Sequence, residues 1–211
     1  IDDSLMDRLS SGLNQRLTAE PTRLVHDREM PERVVEMLKR ELGITRIDAI
    51  IPGGRYHNMK DFLSFPSIGR SSLQNAELPP VASKVLDNQR NYFSVIKEKD
   101  VLLHYPYHDF YHFTEWLRQS AMDPTVESIR ISLYRVASSS LVIKALLDAV
   151  ANGKDVFVIV ELQARFDEEA NIRWSKVLTD AGVHVSFGIA NLKVHSKLCL
   201  ITRNEDGERV R

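Results

Sequence analysis

Val156-Phe157-Val158-Ile159-Val160, running on into Glu161-Leu162-Gln163-Ala164-Arg165, decides how this chain folds. An amphipathic surface strand would alternate apolar and polar residues, and this run does not. A short, near-continuous apolar strand is expected where both faces are covered, as in a parallel sheet. Upstream, Ile129, Ile131 and Leu133 alternate as a strand. Ser139 or Ser140 then caps a helix from Leu141 to Ala151, which Asn152-Gly153 closes. Downstream, a helix from about Asp167 to Ala181 stops at Gly182. Val183-His184-Val185 makes a short strand, Lys193 to Thr202 another, and Asn204-Glu205-Asp206-Gly207 turns the chain back. From about residue 125 onward the order is β-α-β-α-β, an α/β arrangement with right-handed crossovers and a parallel core.

The earlier part of the chain is patterned differently. Leu5, Leu9, Leu13 and Leu17 mark an amphipathic stretch, and a strand is expected near Arg23-Leu24-Val25-His26. Met30-Pro31-Glu32 opens a helix with proline in its first turn. Val34, Val35, Leu38 and Leu42 form its apolar face, and Gly43 ends it. Pro52-Gly53-Gly54-Arg55-Tyr56-His57-Asn58 is expected as a turn or loop; its glycines lack the spacing and the lysine of a P-loop. Pro66 to Pro80 is rich in Pro, Ser, Gly and Asn and marks a domain boundary near residue 80. Residues 1–81 therefore form one domain of α+β character, and 82–211 a second. In the second, Val101-Leu102-Leu103 is expected as a short strand, and Phe110, Phe113, Trp116 and Leu117 as a helical stripe ending at Asp123-Pro124.

Composition narrows the function classes. A net charge of −1 over 211 residues leaves no global attraction for a polyanion, and no basic stripe argues for nucleic acid. Any phosphate site must be built locally from Lys and Arg. The one cysteine, Cys199, excludes an internal disulfide, fits a reducing compartment, and reads as a buried thiol. No apolar stretch is long enough to span a bilayer, and no signal peptide is recognisable. The chain reads as a piece of a longer protein.

The chemistry concentrates in Leu192-Lys193-Val194-His195-Ser196-Lys197-Leu198-Cys199-Leu200-Ile201. In a strand, residues two apart share a face, so His195 and Lys197 point one way and Val194, Ser196 and Leu198 the other. An imidazole can attack phosphorus or pass a proton, and a neighbouring lysine can hold phosphate oxygens. Ligands of such sheets gather at the carboxyl ends of the parallel strands. Tyr134-Arg135 and Glu161 to Arg165 lie at two such ends. A last strand running antiparallel would bring His195 to the same edge. Arg135, Arg165, His195 and Lys197 then converge, and phosphate or polyphosphate is the natural ligand, because guanidinium grips two phosphate oxygens in a fork.

Three other features compete. Asp167-Glu168-Glu169 either ligates Mg²⁺ or complements a helix dipole and caps its N–H groups. His104, His108 and His112 are four apart, but Pro106 breaks any helix through His104 and no H-E-x-x-H is present, which argues against zinc. His108, at a helix start, is placed to touch a phosphate instead.

Several long runs resemble the polyphosphate kinases. They are Val160-Glu161-Leu162-Gln163-Ala164-Arg165-Phe166-Asp167-Glu168-Glu169-Ala170-Asn171-Ile172, Gly182-Val183-His184-Val185, Leu192-Lys193-Val194-His195-Ser196-Lys197, Tyr105-Pro106-Tyr107-His108, Leu133-Tyr134-Arg135-Val136-Ala137 and Pro52 to Phe62. The likeness is to the type-one enzymes, whose catalytic half looks like phospholipase D, with two similar domains each giving one H-x-K. It implies that residues 1–81 are the later part of the head (middle) domain. It makes 82–211 most of the first catalytic domain, a phospholipase D-like mixed sheet.

The resemblance further implies reversible, ATP-dependent synthesis of inorganic polyphosphate, with ATP and ADP as nucleotide partners and Mg²⁺ as cofactor. His195 matches the autophosphorylated histidine, with Lys197 beside it as a catalytic cation. Arg135 and Arg165 match positions associated with Mg²⁺. A guanidinium cannot ligate a cation, so they are expected to bind phosphate beside a phosphate-bound Mg²⁺, joined by Lys193 and His108. The full-length enzyme is expected to be a cytoplasmic homo-oligomer, with a peripheral place at the membrane left open. The Gly-Thr-Gly-Asn segment, the second H-x-K domain and the N-terminal domain of the family are absent from this chain. The rivals are a phospholipase D-type phosphodiesterase and a non-catalytic assembly or anion-binding segment.

Overall fold

Two neighbouring strands organise the larger part of the molecule: β3 (Val126–Leu133) and β4 (Asp155–Val160), paired in parallel with Ile129 opposite Val156, Ile131 opposite Val158 and Leu133 opposite Val160. The computed structural model describes residues 11–12, 15, 18–45, 49–56, 58–161, 168–188 and 192–211. Residues 11–77 make one compact unit, and 78–211 belong to another.

In the first unit, β1 (Arg23–Asp27) pairs in parallel with β2 (Ala49–Gly53) across the helix α1 (Glu32–Glu41). Pro31 stands just ahead of α1, where its missing N–H costs nothing, and Gly43, at φ +66°, follows its end. The loop expected from Pro52 therefore begins later, because Pro52 and Gly53 close β2. A two-stranded sheet has only edge strands, where proline's missing donor is tolerated. Residues 59–64 and 71–73 form single 3-10 turns, and 66–80 hold no longer element. The leucines of the expected N-terminal amphipathic stretch lie outside the described residues.

The second unit opens with α2 (Tyr92–Glu98), whose cap Asn91 accepts from the amides of Phe93 at 2.9 Å and Ser94 at 3.3 Å. The strand expected at Val101-Leu102-Leu103 does not form. It pairs with no strand among the described residues, and Leu102 is 88% exposed. Helix α3 (Tyr111–Met122) stops at Asp123-Pro124, since proline disfavours helical backbone in the residue before it. Helix α4 (Leu141–Ala151) starts at Ser140, whose hydroxyl accepts from Ile143 N. Helix α5 is Glu168–Asp180 and β5 is His184–Ser186, the two joined through Gly182 at φ +92°. Strand β6 (Cys199–Glu205) runs antiparallel to β3, and β7 (Glu208–Val210) antiparallel to β6. Asp206 (φ 54°) and Gly207 (φ 92°) both take the left-handed backbone that a tight hairpin turn requires. The sheet order is β5-β4-β3-β6-β7, a mixed sheet in an α/β unit.

Burial departs from the sequence expectation in one respect. Val156, Val158 and Val160 are at most 2% exposed, whereas Phe157 and Ile159, on the other face of β4, are half-buried. The covered face carries Ile129, Ile131 and Leu133 as well, and it packs with Leu117, Ala121, Ile143, Leu146 and Leu178 into one core.

A second departure matters for the site. The strand expected from Lys193 begins only at Cys199. Between them the pairing with β3 is carried by Ser132, whose N donates to Leu198 O at 2.9 Å while its Oγ donates to Ser196 O at 2.6 Å and accepts from Leu198 N at 2.9 Å. The hydroxyl, supplying both a donor and an acceptor, adds to the one backbone bond there. Cys199, expected as a buried thiol, is part-buried, and that burial pushes its thiol up to about 12, so it is protonated at neutral pH.

Asp123 ties α3, β3 and β6 together. Its carboxylate accepts from Thr125 N at 2.8 Å and Thr125 Oγ1 at 2.7 Å, and faces Arg203 at 3.4 Å. Burial opposes the charge, but the Thr125 hydrogen bonds with Arg203 and Lys154 outweigh it and hold the carboxyl below its usual range. A depressed folded-state value means stability that is present above the unfolded carboxylate pKa of about 4 and lost as pH falls through the folded one. Asp123→Asn should therefore lower stability by an amount that is constant above about pH 5 and shrinks below about pH 4, read by urea unfolding at a series of pH values.

Candidate active site: an H-x-K segment held at the strand ends

The carboxyl ends of β3 and β4 are joined by one amide group. Asn171, on the buried stripe of α5 with Ser175 and Leu178, is fully buried. Its Nδ2 donates to Tyr134 O at 2.8 Å and to Glu161 O at 2.9 Å. Glu161 N donates in turn to Leu133 O at 3.0 Å, which carries the β3–β4 pairing past the last named strand residue. Ser175 Oγ donates to Asn171 O at 2.7 Å, and Trp174 Nε1 to Ala137 O at 3.1 Å, so α5 pins the segment that follows Arg135.

The H-x-K segment hangs from this frame on both sides of the histidine. Ahead of it, Val194 N donates to a carboxylate oxygen of Glu161 at 2.7 Å; Glu161 is 5% exposed. Behind it stands the Ser132 hydroxyl with its two bonds to Ser196 and Leu198. A charged acceptor strengthens the first of these bonds, and low exposure keeps water from competing for it. Between the anchors, His195 and Lys197 are exposed.

Their side chains converge on one ring. His195 meets Tyr134 edge-on, with centroids 4.8 Å apart and planes at 81°. The Lys197 ammonium lies 4.4 Å from the same centroid, Lys193 5.8 Å and the Arg135 guanidinium 5.5 Å. Lys197 also donates to the His195 carbonyl. Each cation–π contact contributes about 0.5–1 kcal/mol at an exposed site. Lys193 and Lys197 form no ion pair among the described residues. Three like charges around one ring make a local positive field that suits a phosphate group, on a chain of net charge −1.

Of the residues expected at the site, His195, Lys197, Lys193 and Arg135 are brought together. Arg165 and Asp167 lie outside the described residues. His108 has no described contact with the Tyr134 group; its Nδ1 accepts from His104 N at 2.8 Å in the turn ahead of α3. His112 is a core residue, 3% exposed. Its Nε2 must accept, because Ser83 N donates to it at 2.8 Å, so Nδ1 carries the proton toward the Tyr92 oxygen 2.9 Å away. Burial, then the neighbouring Tyr111, Glu115 and Asp87, push the Tyr92 phenol up to about 12.

No group of three or more His, Cys, Asp or Glu among the described residues is arranged to hold a metal ion. The site is cationic, and the carboxylate at its base already accepts from Val194 N. Oxygen donors are what Mg²⁺ requires, so the described residues do not fit an Mg²⁺ ligated directly by protein.

Three residues with a part in the site were not singled out from sequence: Tyr134, Asn171 and Ser132. Asn171 had a signal, being polar on an apolar helical stripe. Tyr134 had none, since its partners lie 59 to 63 residues away in sequence, apart from Arg135.

Residues 91–211 match the family described as polyphosphate kinase C-terminal domain 1, and residues 1–65 match the polyphosphate kinase middle domain. The chain is 56% identical over 211 residues to the polyphosphate kinase of Vibrio cholerae, covering 100% of this chain and 30% of that protein. It is 54% identical over 213 residues to that of Escherichia coli K12, covering 31% of it. Among solved structures, the polyphosphate kinase of Porphyromonas gingivalis superposes with a TM-score of 0.69 at 34% identity, over 88% of this chain and 28% of that one. The chain thus spans about 30% of the length of these relatives, and with residues 91–211 inside the family's first C-terminal domain it belongs to the polyphosphate kinase family.

Proposed function

We propose that this segment supplies one half of a phosphoryl-transfer site, in an enzyme that moves the γ-phosphate of ATP reversibly onto inorganic polyphosphate. A ring nitrogen of His195 attacks the γ-phosphorus. The bond from that phosphorus to the β,γ-bridging oxygen breaks, ADP leaves, and a phosphohistidine remains. A terminal oxygen of polyphosphate then attacks the same phosphorus, the N–P bond breaks, and the chain is longer by one phosphate. Arg135, Lys193 and Lys197 hold the phosphoryl oxygens and the charge that spreads over them. Arg165 joins the phosphate set on resemblance, and His108 on its place ahead of α3. Mg²⁺ would be held by the nucleotide phosphates rather than by these residues, and would add to the charge that Arg135, Lys193 and Lys197 supply. On this reading the full-length protein is a cytoplasmic homo-oligomer; no helix among the described residues is long and apolar enough to cross a membrane.

The observation that carries the proposal is the gathering of an exposed imidazole and three cations on one ring, with the segment anchored by buried Glu161 and part-buried Ser132. An imidazole used as nucleophile needs access to solvent and a fixed backbone, and His195 has both.

In the full-length enzyme, His195→Ala should abolish the acid-labile, alkali-stable label acquired from γ-labelled ATP and leave thermal unfolding unchanged. Labelling of the variant at the wild-type level would contradict the assignment. Discharge of the label by polyphosphate and ADP is expected; discharge by water alone would indicate a hydrolase of the phospholipase D type.

Arg135→Ala should slow label formation by on the order of 10²–10³-fold, as for loss of one positioned charge at a transferring group, with little change in unfolding. Arg135→Lys should recover only part of the rate, because a point charge replaces a fork. A full-rate lysine variant would exclude bidentate phosphate binding at this position.

A further inference from the structure

We propose that Tyr134 is the positioning residue of the H-x-K site, its ring serving as the shared surface against which His195, Lys193, Lys197 and Arg135 are held. The proposal rests on the phosphoryl-transfer assignment above and adds a part that the H-x-K motif does not contain. Four contacts meet on this ring: the edge-on imidazole at 4.8 Å and the three cations at 4.4 to 5.8 Å. The ring is half-buried and its backbone is fixed through the carbonyl that Asn171 holds. The cations, by contrast, sit at the tips of exposed side chains.

Lys193, His195 and Lys197 alternate along the chain but are not in a strand, so no ladder makes them share a side. The ring does. An edge-to-face contact restricts the imidazole plane, because in such a pair the positive edge of one ring meets the negative face of the other. The same quadrupole draws in ammonium and guanidinium groups that would otherwise repel one another and spread. The cations are then gathered before an anion arrives, and the cost of gathering them is not met during the reaction. None of the hydrogen bonds among the described residues uses the Tyr134 hydroxyl, so the aromatic face is the working part.

The test uses the full-length enzyme, with single-turnover phosphohistidine formation at saturating ATP as the readout. Tyr134→Phe should retain the wild-type rate within about 2-fold, and Tyr134→Leu should lower it by about 10-fold or more. Phenylalanine carrying one, two or three ring fluorines at position 134 keeps the shape while draining the negative face, and the rate should fall stepwise with fluorine count. These near-isosteric variants fold if phenylalanine does, which thermal unfolding checks. A flat fluorine series, or Tyr134→Phe as impaired as Tyr134→Leu, overturns the proposal. A second readout is independent of the reaction: acylation of Lys197, followed by mass spectrometry, should speed up several-fold in Tyr134→Leu as the ring no longer covers the ammonium. An unchanged rate counts against the platform. If the wild type forms no phosphohistidine on His195, the proposed function fails, while the acylation result still decides whether Tyr134 holds Lys197.

Discussion

The two N–H bonds of one buried amide are the constraint on which the site depends. Strands β3 and β4 leave their last carbonyls side by side at the sheet's carboxyl edge, and Asn171 from α5 donates to both Tyr134 O and Glu161 O. Each of those residues then carries part of the H-x-K segment: Tyr134 through its ring, Glu161 through its carboxylate on Val194 N. A buried carbonyl without a donor costs about 1–3 kcal/mol, so the amide stabilises the strand ends as well as aligning them. Helix, sheet edge and histidine segment are in this way coupled through one side chain.

Such an arrangement suits a reaction in which the protein contributes mainly position and charge. Phosphoryl transfer asks for cations placed on the equatorial oxygens and a nucleophile placed in line. Both anchors of the histidine segment, the Glu161 carboxylate and the Ser132 hydroxyl, hold backbone groups and leave the His195 ring exposed. Had β6 begun at Lys193 as its apolar pattern suggests, ladder bonds would hold the segment in place of the Ser132 hydroxyl and Glu161.

Much of the fold was legible in the sequence where the physics is local. Ser140 caps α4, Gly153 and Gly182 follow helix ends, and Asp206-Gly207 makes the hairpin, each as a consequence of backbone preferences one or two residues wide. An antiparallel last strand was the condition on which His195 and Lys197 were expected to approach Arg135, and β6 meets it. What was not legible depends on pairs distant in sequence. The late start of β6 goes with a hydroxyl on β3; the strand expected at Val101 finds no partner among the described residues; and Pro52 is tolerated because β2 is itself an edge strand. Helix α2 escaped because a seven-residue element shows too little periodicity to read. Tyr134 looked like a strand end because nothing in a chain order reveals which ring four side chains will choose.

The most direct measurement is a crystal structure of the full-length enzyme with a non-hydrolysable ATP analogue. The account predicts the γ-phosphorus about 3–3.5 Å from a ring nitrogen of His195, the distance of a near-attack arrangement, with Lys193, Lys197 and Arg135 on its oxygens and the Tyr134 ring beneath them. A γ-phosphate bound away from His195, with the Tyr134 group carrying no phosphate oxygen, would contradict it.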